Sequence, residues 1–480
     1  MINTIRNQKE SIVLYANNAF VAILNFISIA FLSHVLLPND YGSFKYMFMI
    51  ISICVALGSL GFSQAVFYYI NQATDKIEEY AYLNASRFCL ILSFGISIII
   101  FYVLNNLLTV DQSGYAFNKY YGVLIGIIFS GIIQSIELNV FLKNSCSWFY
   151  FTNMLSSYII RLILFYLAYL YQSDLYTYVN IWFLNALLST LINQIYLEYL
   201  YEGAAYKLSK KYIFQIIKYS MPIGIALFFG VILVQVDRVV LTYLFKDPIK
   251  LAIISNGNFE VPLITAFYAS FSTIAFPKML KAFNANKTLD MLKYRYEYQI
   301  NVAVLLFPIV LSFIFFSTEI MRVVFGEFYI SSAKLFSVYS ITFLFRFTSY
   351  HDLFLISKKT KYIAFIQAAE LIFHVVLTYV FIQMFSLIGA SIAVLVTNIF
   401  YFMVASYLGS RVVNIPLKLL YPYKRLFYLF MSSLIILAPF YWLIINIDVL
   451  YIKVILIAAY TSINIITLYI INSKQNVASV

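Results

Sequence analysis

Inside stretches built almost wholly of Ile, Leu, Phe, Val and Tyr, a few side chains could do chemistry. They are Arg87, Arg161 and Arg346, the adjacent Asp237 and Arg238, and Glu370 with His374 four residues later. Glu137, Glu260, His351 and Asp352 join them. At bilayer depth such a group costs about 2.5–3.5 kcal/mol on insertion scales unless it meets a partner or a wet cavity. Arginine's planar fork suits an anion of the phosphate type. Arg87, Arg161 and Arg346 each lie in an apolar segment with no acid beside them in sequence, so they are candidates for a cationic cavity that binds substrate. The other reading pairs each with a buried carboxylate, so that it clips helices together.

Glu370 and His374 share one helix face and can hydrogen-bond. Such a pair can carry a proton and couple a process to the proton gradient, or it can be a satisfied contact between helices. The run Asn256-Gly257-Asn258-Phe259-Glu260-Val261-Pro262 interrupts a helix with two amides, a glycine, a carboxylate and a proline. Asn256 and Glu260 share a face, while Pro262 removes a backbone donor and can kink the chain. Broken helices near the midplane build ion and substrate sites; the competing reading is a packing notch. The ion-coupling candidates are therefore Glu370, His374, Glu260 and Asn256. Asp237 and Arg238 point about 100° apart on a helix and read as structural. A small polar stripe on the first helix (Asn18, Ala22, Asn25, Ser28) reads as a helix contact. Cys54, Cys89 and Cys146 show no CxxC spacing, and no metal or cofactor set is present.

These residues need a scaffold, and the composition says which. Of 480 residues 63% are hydrophobic and 11% charged, with a mean hydropathy of +0.86. A soluble chain carries about a quarter charged residues. Fourteen bilayer-length segments are expected, near 11–36, 43–70, 82–104, 119–142, 148–171, 176–198, 213–245, 250–276, 294–316, 333–356, 362–384, 387–409, 425–446 and 450–471. The first is too long for a signal-peptide core and reads as a retained helix. Counting lysine and arginine in alternate loops gives twenty-one against six, which puts both termini in the cytoplasm. The net charge of +12 comes from these scattered loop cations, so no nucleic-acid partner is expected. Loops this short leave no room for a catalytic domain, and GxxxxGK[ST], HExxH and GxSxG are all missing. The chain is expected not to be an enzyme.

A long basic loop near 199–219 divides the chain after six helices. Leu32-Ser33 with Pro38-Asn39-Asp40-Tyr41-Gly42 is echoed by Leu241-Thr242 with Lys246-Asp247-Pro248. The expected architecture is all-α and polytopic. Two six-helix bundles, 1–208 and 209–412, would form a parallel pseudo-twofold repeat, with two added helices and a cytoplasmic tail in 413–480.

Five patterns together resemble one family. They are Phe31-Leu32-Ser33-His34-Val35-Leu36-Leu37-Pro38-Asn39-Asp40-Tyr41-Gly42, Val236-Asp237-Arg238-Val239-Val240-Leu241, Ile274-Ala275-Phe276-Pro277-Lys278, Phe325-Gly326-Glu327-Phe328-Tyr329 and Ile388-Gly389-Ala390-Ser391-Ile392-Ala393. In order and spacing the chain resembles the polysaccharide transporter family of the MOP flippase superfamily, the Wzx-type lipid-linked oligosaccharide flippases. The resemblance implies transfer of an undecaprenyl-diphosphate-linked oligosaccharide, destined for O-antigen, capsule or exopolysaccharide, across the bacterial inner membrane by alternating access. It implies no cofactor. Membrane lipid, H+ or Na+ and other polysaccharide-assembly proteins are the implied partners. The alternatives are an ion-coupled drug or cation antiporter of the same superfamily, a membrane polysaccharide polymerase, or a scaffold for the assembly machinery.

Overall fold

Where no water can reach the backbone, each N–H and C=O must bond within its own segment, so the apolar stretches fold as helices. The computed structural model describes residues 20–108, 117–204, 208–259 and 261–478, and these contain helices and turns with no strand. Twelve helices among the described residues are long and apolar enough to cross a membrane, and the apolar helix Phe20–Val35 (α1) precedes them. The chain is an all-α polytopic membrane protein. Trp148, Ile159, Ile163, Ile195, Ile455 and Ile466 are between 43% and 69% exposed. Apolar side chains left outside in such numbers face lipid rather than water.

The chain forms two compact units, Met1–Ala252 and Ile253–Val480. The first holds α1, α2 (Pro38–Ser59), α3 (Phe62–Gln72), α4 (Lys76–Leu108), α5 (Tyr121–Lys143), α6 (Ser147–Leu170), α7 (Leu175–Leu200) and α8 (Lys210–Phe245). Pro38 opens α2 at a first-turn position where its missing N–H costs nothing. Asp174 caps α7, its Oδ1 accepting from the Thr177 backbone N–H at 3.1 Å. The expected helix 43–70 breaks at Leu60 (φ 34°) and Gly61 (φ 72°), which separate α2 from α3. A Cβ on Gly61 would lie 2.8 Å from the Ser220 carbonyl, and one on Gly224 would strike the Leu60 carbonyl. Two backbones touch there with no side chain between them. The helix α8 packs on α2, α3 and α4, so the compact first unit runs past the loop at 208 to Ala252.

The helix α9 (Pro248–Gly257) runs across the division. The second unit continues with α10 (Pro262–Asn284), α11 (Thr288–Phe315), α12 (Ser317–Phe325), α13 (Ser332–Ile341), α14 (Asp352–Ile356), α15 (Lys361–Phe385), α16 (Leu387–Val413), α17 (Tyr423–Ile445) and α18 (Leu450–Ala478). Its core is organised on α11, whose Met291, Ala303 and Val310 are fully enclosed by Ile264, Met279, Phe343 and Leu420 among others. The last two helices close on α11 and α12 through Phe316, Leu437, Ile444 and Tyr460. Ser312 and Thr461 meet at 2.9 Å, and Asn464 donates to Ser433 Oγ at 2.8 Å.

Two further expected spans are divided. The stretch 250–276 separates into α9 and α10 where Gly257 ends one helix and Pro262 starts the next. The stretch 333–356 becomes α13, a 3-10 turn Thr342–Phe345 and the short α14. Between turn and α14 the Tyr350 hydroxyl donates to the Phe345 carbonyl at 2.6 Å, satisfying a group the broken helix leaves open.

Amides sew neighbouring helices together throughout. Asn139 donates to Ser63 Oγ at 2.8 Å, Gln134 to Thr190 Oγ1 at 2.8 Å, and Asn185 to the Ser157 carbonyl at 2.9 Å. In a membrane such contacts hold helices that the hydrophobic effect cannot.

Candidate functional site

In the first unit the polar side chains of α4, α5, α6 and α7 meet. Arg87 reaches from α4 to α7. Its Nη1 lies 2.5 Å from Glu198 Oε1, and its Nη2 donates to Gln194 Oε1 at 2.7 Å. Tyr80 donates to the other Glu198 oxygen at 2.6 Å. The guanidinium is 17% exposed and the carboxylate 51%, so the pair stands at the margin of the unit. Sequence gave Arg87 no acid nearby; the fold brings one from a helix 111 residues further along.

Behind this pair Glu137 of α5 is wholly buried. It accepts from Gln194 Nε2 at 2.8 Å and Asn193 Nδ2 at 2.6 Å. Asn153 of α6 in turn donates to Asn193 Oδ1 at 2.7 Å. Nearby, Lys143 lies 3.4 Å from Glu79, and the Tyr201 hydroxyl donates to Glu79 at 3.3 Å while accepting from Asn144 at 3.1 Å. Burial pushes the Tyr201 phenol up to about 12, so it serves there as a neutral donor.

Arg161 of α6 is 6% exposed. Its Nη2 donates to Asn25 Oδ1 at 3.2 Å and Ser28 Oγ at 3.1 Å on α1, and its guanidinium stacks 4.3 Å from the Tyr158 ring centre. The α1 stripe is thus a contact surface for an arginine. On α8, Arg238 Nη1 donates to Gln235 Oε1 at 2.8 Å, and Gln235 donates to Ser52 of α2 at 2.9 Å. Lys45 of α2 is buried within electrostatic reach of Arg238. The six cations on the poorer side of the loop count include Lys45, yet it lies well inside α2, which begins at Pro38.

In the second unit Arg346 ends the 3-10 turn, its guanidinium 5.1 Å from the Phe343 ring centre. Its charge is within electrostatic reach of the buried Glu370 of α15. Candidates assigned to two tasks by sequence are therefore electrostatic neighbours. His374, one turn on, lies 3.2 Å from Thr397 Oγ1 of α16 and 3.5 Å from Thr378 Oγ1. Asn256 is fully buried at the end of α9. Beside it a Cβ on Gly257 would stand 2.5 Å from Leu335 Cβ, and Asn258 accepts from Ser391 at 2.5 Å. The α9 end is a close seat against α13 and α16. Glu260 lies outside the described residues.

Sequence reasoning missed Arg295. The loop count places it with the lysines of a second long basic loop around 277–297, yet α11 begins at Thr288 and carries it inside, 1% exposed. Its Nη2 donates to Thr348 Oγ1 at 3.1 Å, where Gln299 Nε2 also arrives at 3.0 Å. The Tyr421 ring centre lies 5.6 Å away, and among the described residues Arg295 Nε and Nη1 are buried without a hydrogen-bond partner. Gln299, four residues on, was the available signal: it continues a helical polar face through the segment read as loop. Removing Lys45 and Arg295 from the loop count leaves the charge bias between the two sides intact. A cavity of about 670 Å³ opens nearby, lined in part by Leu292, Lys293, Tyr296, Ile300 and Arg425.

Arg161 and Arg295 are thus buried guanidinium groups bonded only by neutral groups among the described residues. A cation in that state favours an anion strongly, since nothing fixed neutralises it.

Residues 8–283 match the model of the family described as polysaccharide biosynthesis protein. No curated protein matches the chain in sequence. Among solved structures the chain is similar to the lipid II flippase MurJ in an inward closed conformation, with a TM-score of 0.74 at 15% identity, covering 97% of this chain and 100% of that one. A multidrug resistance MATE family transporter of the MOP superfamily, in its inward-facing conformation, gives a TM-score of 0.58 at 15% identity, covering 82% and 94%. A MOP superfamily transporter from Pyrococcus furiosus gives 0.55 at 14% identity, covering 85% and 96%.

Proposed function

The chain belongs to the polysaccharide biosynthesis protein family, and from that membership we propose that it is a non-enzymatic flippase for an undecaprenyl-diphosphate-linked oligosaccharide. The repeat unit, bound for O-antigen, capsule or exopolysaccharide, crosses the bacterial inner membrane by alternating access, with both termini of the protein in the cytoplasm. The observation that carries this reading is Arg161: a buried guanidinium held by Asn25, Ser28 and Tyr158, with its charge available to a diphosphate. The fold shared with MurJ supports it, since that protein is a lipid II flippase.

Within the second unit, Arg346 is a further candidate cation, in electrostatic reach of Glu370. Protonation or ion binding at Glu370, helped by His374 beside Thr397, would alter the field at Arg346 and so couple anion affinity to an ion gradient. Asn256 belongs to the same proposal as a buried amide where α9 ends, and Glu260 is retained as a coupling candidate.

The test is complementation of a strain deleted for this gene. Wild type restores surface polysaccharide. Arg161→Ala and Arg346→Ala are expected to abolish it at unchanged membrane protein level, while Arg161→Lys retains part. Normal surface polymer in both alanine variants would remove these arginines from transport. Short-chain polymer after gene deletion, instead of none, would point to a polymerase.

A further inference from the structure

The wholly buried Glu137 receives hydrogen bonds on both carboxyl oxygens, Gln194 Nε2 at Oε1 and Asn193 Nδ2 at Oε2. The direction of each bond is fixed from outside. Arg87 Nη2 meets the far end of Gln194 at 2.7 Å. A guanidinium has donors only, so the Gln194 atom facing it is oxygen and the atom facing Glu137 is nitrogen. Asn153 Nδ2 donates to the Ser189 carbonyl at 3.0 Å, which accepts only, and the same nitrogen reaches Asn193 at 2.7 Å. Asn193 therefore turns its oxygen to Asn153 and its nitrogen to Glu137. Neither amide is free to be read the other way round.

This arrangement fits a carboxylate and does not fit a carboxylic acid. A proton placed on either oxygen along its present hydrogen bond would point its O–H at an N–H. Taking up a proton thus requires one amide to reverse. Reversal at Asn193 would set two buried NH2 groups against each other. Reversal at Gln194 is easier, because Arg87 keeps Glu198 at 2.5 Å and Asn84 at 3.3 Å after losing Gln194.

We propose that Glu137 is a proton-binding site and that its protonation reverses Gln194, releasing Arg87 from the α5–α7 network. The proton comes from water and adds to a carboxylate oxygen; the exchange is one of hydrogen-bond direction, with no other bond made or broken. Among the described residues the groups facing Glu137 are Arg87 of α4, Tyr150 of α6, and Asn193 and Gln194 of α7. From α2 and α3, also packed on α5, Val55 meets Gly131 and Ser63 meets Asn139, while the titratable Tyr46 of α2 acts on Tyr121 at the far end of α5. The switch concerns the first unit alone and does not depend on what the protein carries.

The full chain in lipid nanodiscs is titrated from alkaline to mildly acidic pH, with infrared detection of protonated carboxyl and deuterium uptake of the first turns of α4. Wild type is expected to gain a buried-carboxyl band together with higher uptake. Glu137→Gln should lose that band and show the high uptake already at alkaline pH. Gln194→Leu should keep the band with uptake indifferent to pH, and Asp290→Asn, at an exposed acid on α11 in the second unit, should behave as wild type. A band that survives in Glu137→Gln, or a flat uptake profile in wild type, overturns the proposal. The wild-type profile decides even where a variant fails to fold.

Discussion

Arg87 on α4 and Glu198 on α7 approach to 2.5 Å, and Tyr80 and Gln194 hold the two sides of the pair. A charge that looks solitary along the chain is one station in a line of polar groups crossing four helices. Its worth as a fastener is limited by the exposure of its partner.

For that reason a double-mutant cycle of Arg87→Ala and Glu198→Ala is expected to give a coupling of only about 0.5–1 kcal/mol, as for other partly exposed ion pairs. Thermal melting in detergent measures it. A coupling several times larger would mean that the pair is shielded from solvent in the membrane.

Gly224→Ala should destabilise the protein by about 1–3 kcal/mol, the usual cost of an overpacked contact, because the added methyl meets the Leu60 backbone rather than a movable side chain. Gly230→Ala, on the same helix with open space around it, should be neutral or stabilising by up to about 1 kcal/mol. Equal melting temperatures for the two variants would contradict the backbone contact.

Arg295→Met separates stability from function. Replacing a buried charge that lacks a fixed counter-charge with an apolar side chain of similar length is often neutral or stabilising, by about 1–4 kcal/mol. The variant is expected to melt no lower than wild type and to lose surface polysaccharide in the complementation assay. A lower melting temperature with polysaccharide intact would make Arg295 a structural residue.

Ser391→Ala removes the donor to Asn258 and should cost about 1 kcal/mol. Gly257→Val, which drives a larger group into Leu335, should cost more. If both variants melt as wild type does, the end of α9 is not seated against α13 and α16 in the membrane.

Much of this was visible in the chain. Hydropathy located the helices because the bilayer forces long apolar segments to bond internally. Proline and glycine marked the break before Pro262. The break at Leu60 and Gly61 escaped notice, because a single left-handed turn barely alters hydropathy and its cause is Gly224 far along the chain. Arg295 was hidden by its surroundings in sequence: four lysines in 278–293 made a loop of what is helix but for the turn 285–287. Ion pairs such as Arg87 with Glu198 could not be read at all, because they join positions that only tertiary packing brings together. Sequence could say which charges were expensive; only the fold says which of them have neutral company, as Arg161 does.

The amides that sew the helices have a genetic side. Asparagine is encoded by AAT or AAC, so a gene drifting toward A and T gains asparagine as readily as isoleucine, phenylalanine or tyrosine. In most proteins such drift would scatter polar groups where they do harm. Here Asn139, Asn153, Asn185, Asn193 and Asn464 each reach across to another helix. A gene under such drift would gain stitches together with grease.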